Sequence, residues 1–218
     1  MLTQIYEVAT PAEADAISAI GVDHVGVLVG DGAFPRELPV GAAAAVMEAI
    51  RAPSVLSALF LSADVALIER MAAELNPPIV HLGASNELLT PDHVVALRNS
   101  LPNIKFMRSV PVTGPEALQV ARAYDGIVEW ILLDSYRAGD PQIGAQGVTH
   151  DWSISRPIVE TVRSPVILAG GPGPDNVKEA IRLVRPAGID SKTKTDCEDT
   201  HSKDLGKVEA FYRAAKSG

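Results

Sequence analysis

The chain has 218 residues, 47% of them hydrophobic and 21% charged, with a net charge of −8. That length suits one domain with a sizeable core, and the composition is that of a soluble globular protein. An acidic balance presents no basic face to a phosphate backbone, so nucleic acid is excluded as an expected partner.

The single cysteine, Cys197, has no second thiol with which to form an internal disulfide or a zinc cluster. The opening "MLTQIYEVATPAEADAI" carries no basic leader ahead of an apolar run, and no stretch reaches about 18 uninterrupted apolar residues. We therefore expect no export signal, no membrane span and a cytoplasmic location.

Short β-rich runs alternate with helical patterns along the whole chain. "TQIYEVA" precedes "PAEADAISAIG", where Pro11 suits a helix start and Gly21 its stop. "DHVGVLVG" precedes "PVGAAAAVMEAIRA", "SVLSALFLS" precedes "ADVALIERMAAELN", and "PIVHLG" precedes "TPDHVVALRNSL". "IKFMRSVPV" then leads to "GPEALQVARAY", and "GIVEWILLDS" leads through a long loop to "SRPIVETVR". "PVILAGG" leads to "GPDNVKEAIRLVRP", and "GIDSKTKT" to a last helix in which Ser202 is the expected cap and Asp204 lies in the first turn.

Eight strand and helix units in a chain this short predict a single-domain (β/α)8 TIM barrel over residues 1–218. A doubly wound open sheet is the runner-up. No Gly-x-Gly-x-x-Gly turn follows the first strand, where a dinucleotide fold of that kind carries one.

Barrel chemistry sits at the C-terminal strand ends, which selects a short list of positions. Strand 1 ends near Tyr6 and Glu7, strand 2 near Asp31 to Arg36, strand 4 near His81, and strand 5 near Arg108. Strand 6 ends at Asp134, strand 7 at Gly170 and Gly171, and strand 8 at Lys192 to Asp196.

In "VILAGGPGPDNV" the glycine pair lets backbone approach a ligand closely, and a helix starting at Asp175 or Asn176 favours an anion; a tight turn alone is the bland alternative. Asp134 ends an apolar strand, where a carboxylate is costly unless paired or used; a general acid or base is the functional reading, and a cap or an ion pair to Arg137 the structural one. His81 reads either as a substrate-binding residue lining the mouth or as a satisfied structural histidine. The segment "CEDTH" from Cys197 to His201 has no recognised ligand spacing, so no metal is expected. The loop from Tyr136 to Trp152 reads as a lid or as a permissive surface loop.

The runs "ILLDSYRAGDPQIGAQGVTHDW", "PVILAGGPGPDNVKEAIRLVRPAGID" and "KDLGKVEAF" resemble the phosphoribosylanthranilate isomerase family. "QIYEVATPAEA", "FPRELPV" and "PIVHLG" extend the likeness through the first half. The resemblance implies a cofactor-free and metal-free rearrangement of a phosphoribosylated aromatic amine from aldose to ketose; for the assembly we expect a monomer or homodimer. It implies that Asp134 is the general acid that opens the sugar, that Arg36 holds the anthranilate carboxylate, and that Gly147, Gly170 and Gly171 approach the phosphate.

Two departures from the family pattern stand out. The family's first strand ends Lys-Ile-Cys-Gly, its cysteine taking the C2 proton, whereas this chain has Gln4, Ile5, Tyr6 and Glu7. Tyr6 stands where the base belongs, although an unperturbed phenol titrates near 10, and strand alternation would point Glu7 away from the mouth. After strand 8 the family's Ser-Ser-Gly phosphate turn is replaced by Lys192, Thr193 and Lys194, so the two lysines become phosphate-binding candidates. A small anionic or phosphorylated substrate fits all these positions. The alternatives are a lyase, aldolase or decarboxylase acting on another phosphorylated carbonyl compound, and a barrel that only binds such ligands.

Overall fold

The computed structural model describes residues 1–136 and 151–217. Strands β1 (Leu2–Ile5), β2 (His24–Leu28), β3 (Val55–Phe60), β4 (Ile79–Leu82), β5 (Lys105–Pro111), β6 (Trp130–Asp134), β7 (Val166–Leu168) and β8 (Gly188–Ser191) are all parallel. Each pairs with the next, and β8 closes on β1, so the sheet is a closed barrel, as the alternating pattern predicts. Helices α1 (Pro11–Ile20), α2 (Val40–Glu48), α3 (Val65–Leu75), α4 (Pro91–Ser100), α5 (Ala117–Tyr124), α6 (Trp152–Thr161), α7 (Val177–Val184) and α8 (Leu205–Lys216) alternate with the strands. Among the described residues no helix is long and apolar enough to cross a membrane.

Local chemistry sets the helix ends. Thr10 caps α1 by accepting from the Glu13 amide at 3.2 Å, and Gly21 ends it at φ 103°, a conformation that favours glycine. The cap of α8 is Asp204, not Ser202 as expected, because the Asp204 carboxylate reaches the Lys207 amide at 3.1 Å. Ser202 lies instead in the preceding loop, where its carbonyl accepts from the Cys197 amide at 2.9 Å.

Period-two alternation divides the strand side chains between two layers. Val25 and Val27, Val80 and Leu82, and Ile131 and Leu133 face the helices within the main core. Ile79, Met107, Leu132 and Ile167 form a smaller cluster with Tyr6 and Ala169. Asp134 lies two residues beyond Leu132 and shares its face, which sets it at the barrel mouth.

Arg108, placed by sequence among the mouth candidates, faces the other way. It is fully buried between sheet and helices, stacks over the Tyr124 ring at 5.1 Å, and donates to the carbonyls of Leu82 and Leu89 at 2.6 and 3.3 Å. It lies one residue out of phase with Met107, so alternation turns it outward, where it fastens the loop after β4.

Candidate active site

Two recesses open side by side at the C-terminal ends of the strands. The smaller, about 330 Å³, is lined by Asp134, Ser135, Gly170, Gly171, Asp190 and Lys194, among others. The larger, about 850 Å³, has an apolar wall of Leu28, Leu59, Leu61 and Leu132 and a polar rim of Glu7, Arg36 and Lys192. Asp134, Asp190 and Lys192 line both. A molecule spanning the two recesses would therefore cross these three side chains.

Asp134 is half-buried, and its Oδ1 accepts from the Ser135 amide at 2.7 Å and the Ser135 hydroxyl at 3.4 Å. Burial pushes its carboxyl up to about 7, against the opposing pull of the two Ser135 donors. Asp190, which sequence reasoning passed over, lies beside the same recess on β8. Burial and the nearby charge of Asp134 raise it to about 8, while the Gln4 amide, donating at 3.1 Å, holds it down only in part. The signal was present in "GIDS": an acid two places from Gly188 in a short apolar strand shares its inward face.

Both carboxyls ionise less readily in the folded chain than in the unfolded one, near 3.8. Below pH 4 both states are protonated and no penalty exists. Between about pH 4 and pH 8 the folded state progressively loses this stability, and above pH 8 the loss is complete. Asp190→Asn is thus expected to raise the thermal midpoint at pH 9 by about 3 °C or more and to leave it unchanged at pH 4. Thermal denaturation at the two pH values measures the difference.

Tyr6 was the expected base, and its environment opposes that role. Its hydroxyl is buried, 2.8 Å from Ser57 Oγ and 2.6 Å from His81 Nδ1. Burial raises the phenol well above 10 against the opposing pull of the Ser57 contact, and the field of Asp190 adds a smaller push upward. At neutral pH it is a neutral hydroxyl.

His81 was expected to bind substrate. It does line the larger recess, but Nδ1 meets Tyr6 and Nε2 meets Ser109 Oγ at 2.7 Å. Burial, then the fields of Arg108 and His24, lower it to about 3, so the ring is neutral. Nδ1 then accepts from Tyr6 and Nε2–H donates to Ser109, which leaves neither nitrogen free for a ligand.

The Tyr6 ring fits because residue 26 is glycine. A Cβ at Gly26 would lie 2.2 Å from Tyr6 Cδ1, and the ring is anchored at its far end by Ser57 and His81. Gly26→Ala is expected to destabilise the fold by about 2 kcal/mol through this clash. Urea unfolding is the measurement.

Strand alternation predicts that Glu7 points away from the mouth, and here the structure differs. The β1 ladder stops at Ile5, and Glu7 adopts φ 57°, which swings its side chain inward. Arg36 Nε donates to Glu7 Oε2 at 2.7 Å and Nη2 to Oε1 at 3.2 Å. Lys192 Nζ lies 3.3 Å from the same Oε2 and 3.2 Å from Asp196 Oδ2. Burial pushes the Glu7 carboxyl up, but Arg36 and Lys192 together outweigh it and hold the group below its ordinary value.

The two lysines therefore part company. Lys192, which lines both recesses, has its ammonium between the Glu7 and Asp196 carboxylates. Lys194 lines the smaller recess, its stem lying where a Cβ on Gly173 would clash, at 2.6 Å. Gly170 and Gly171 take φ 68° and 98°, and their loop is braced by Asn176 Nδ2 on the Gly171 carbonyl at 3.1 Å and by Ser191 Oγ on the Pro172 carbonyl at 2.8 Å. Gly147, with most of the Tyr136 to Trp152 loop and with Arg137, lies outside the described residues.

Comparison with known proteins gives the family and the fold. An N-(5'-phosphoribosyl)anthranilate isomerase 2 of Methanosarcina mazei is 40% identical over 129 residues, 59% of this chain and 56% of that protein, so the match takes in little more than half of either. An N-(5'-phosphoribosyl)anthranilate isomerase of Methanocella arvoryzae is 32% identical over 95% of this chain and 94% of its own length. In three dimensions a phosphoribosyl anthranilate isomerase of Thermus thermophilus superposes with a TM-score of 0.81 at 23% identity, covering 100% of this chain and 99% of that one, and supports the barrel fold. The family model described as N-(5'phosphoribosyl)anthranilate (PRA) isomerase matches residues 4–214, and with relatives of this similarity along nearly the full length the chain belongs to that family.

Proposed function

We propose that the chain converts N-(5'-phosphoribosyl)anthranilate from the aldose to the ketose form by acid–base steps. The observation that carries this reading is the position of Asp134, a carboxyl raised to about 7 where a small polar recess meets a larger apolar one. A phosphate suits the small recess, where the backbone of Gly170 and Gly171 and the charge of Lys194 meet it. An aromatic amine suits the apolar recess, with Arg36 at its rim as a planar donor for a carboxylate. The sugar ring then lies across Asp134.

In that pose the protonated carboxyl of Asp134 gives its proton to the ring oxygen, the C1–O bond breaks, and the nitrogen lone pair forms the C1=N bond. A group that titrates near neutrality both holds a proton at pH 7 and releases it readily. The partner is a small phosphorylated anion, with no role for nucleic acid or membrane, and the setting is a cytoplasmic monomer or homodimer.

Mixing the purified chain with phosphoribosylanthranilate and following the loss of fluorescence tests the reading. Turnover above the buffer rate is the expected result. A flat trace would leave fold and family in place and remove the reaction.

A further inference from the structure

We propose that Glu7 is the general base for the C2 proton, and that the substrate carboxylate frees it for this task by drawing Arg36 away. The inference rests on the isomerase reading above and supplies the step for which the first strand no longer carries a cysteine.

Among the described residues, the other candidate proton acceptors at the mouth are already committed. Tyr6 donates its hydroxyl proton to His81 and accepts from Ser57, and Asp134 is occupied as the acid. Asp190 accepts from Gln4 at 3.1 Å and is buried within the barrel. Glu7 lines the same recess as Asp134, and its side chain keeps 10% of its surface exposed. Its left-handed backbone, φ 57°, is what brings it there.

As the structure stands, both oxygens of Glu7 are held, one by each arm of the Arg36 fork and Oε2 also by Lys192. A carboxylate held in this way is a weak proton acceptor. An anthranilate-type carboxylate entering the recess competes for the same guanidinium edge, because that edge matches any carboxylate in a two-bond fit. When Arg36 turns to the ligand, Glu7 keeps only Lys192, and the aromatic ring excludes water from around it.

The step then balances. Ring opening has left a cationic C1=N bond. Glu7 takes the C2 proton, the C–H electron pair forms C1=C2, and the π pair of C1=N returns to nitrogen. One negative and one positive charge disappear together, a change that an apolar, low-dielectric wall favours. The enolamine next gains a proton at C1 and loses one from the C2 hydroxyl, giving the ketose with no oxidant or co-reactant.

Steady-state kinetics and calorimetry separate this proposal from the reading beneath it. Glu7→Gln is expected to lower kcat by about 100-fold or more without raising KM, and Glu7→Asp to restore part of the loss. Titrated with anthranilate alone, Glu7→Gln is expected to bind about tenfold more tightly than the wild type, because the internal competitor is gone. Turnover by Glu7→Gln within threefold of the wild type would overturn the base role, and weaker anthranilate binding would overturn the competition. A wild type with no turnover sinks the isomerase reading and the base role together, while the calorimetry still decides whether Glu7 and the ligand compete for Arg36.

Discussion

Asp134→Asn lowers kcat on phosphoribosylanthranilate by about 10³-fold and changes KM only slightly, the expected signature of a lost proton donor. Asparagine keeps the shape and the contact with the Ser135 amide, so the ground-state pose survives. What disappears is a transferable proton beside the ring oxygen. The wild-type pH profile carries a second mark. A general acid works only while protonated, so kcat falls as pH rises through about 7 to 8, the range to which burial moves Asp134 and Asp190. Because Asp134 raises Asp190, the descending limb belongs to the pair and not to one side chain. Stopped-flow fluorescence from pH 5.5 to pH 9 measures it. A variant turning over within tenfold of the wild type would remove Asp134 from the chemistry.

Lys203→Met is the substitution expected to cost the most stability, about 3 kcal/mol, or about 6–12 °C in thermal midpoint. The Lys203 side chain is fully buried, and its ammonium meets Asp196, which is itself 6% exposed. Burial lowers the lysine, and the Asp196 contact offsets this only in part. Removing the lysine takes one of two cations from a buried carboxylate and leaves Lys192 as its remaining close ammonium partner. Lys192 would then lean toward Asp196 and away from Glu7, so the damage reaches the rim of the site. Arg213 and Glu209 make a contact of similar length, 2.6 Å, on the exposed face of α8. Arg213→Ala leaves the midpoint almost unchanged, because water already screens that pair. Differential scanning fluorimetry on both variants separates the two cases; equal shifts would refute the argument.

The order of strands and helices was legible because its signals are local: turn residues, caps and a change of period within a dozen residues. Asp134 was legible for the same reason, standing at the end of "WILL" in phase with Leu132. Glu7 was not, since its direction depends on where the β1 ladder stops and on a left-handed φ, neither of which an alternating pattern contains. "TQIYEVA" reads as one strand of seven, but pairing ends at Ile5 because Glu7 bends the chain toward Arg36. Arg108 was misplaced by a single residue of phase, enough in a sheet to exchange mouth for core. The partners of His81 and Lys203 were equally hidden, being matters of which distant side chains the closed barrel brings within reach.

The seam between the first and last strands sets an order on the making of this protein. Gln4 and Asp190, 186 positions apart, touch only when β8 docks against β1, and the amide of Tyr6 is satisfied at 3.1 Å by the carbonyl of Ser191 on that strand. Lys192 reaches Glu7 across the same junction. Contacts of such long range form late, after the entropy of closing the intervening chain has been lost. During synthesis the first seven strands can emerge and gather helices around them while both edges of the unfinished sheet stay open. The pocket is complete only when the last strand brings Asp190 and Lys192 to it.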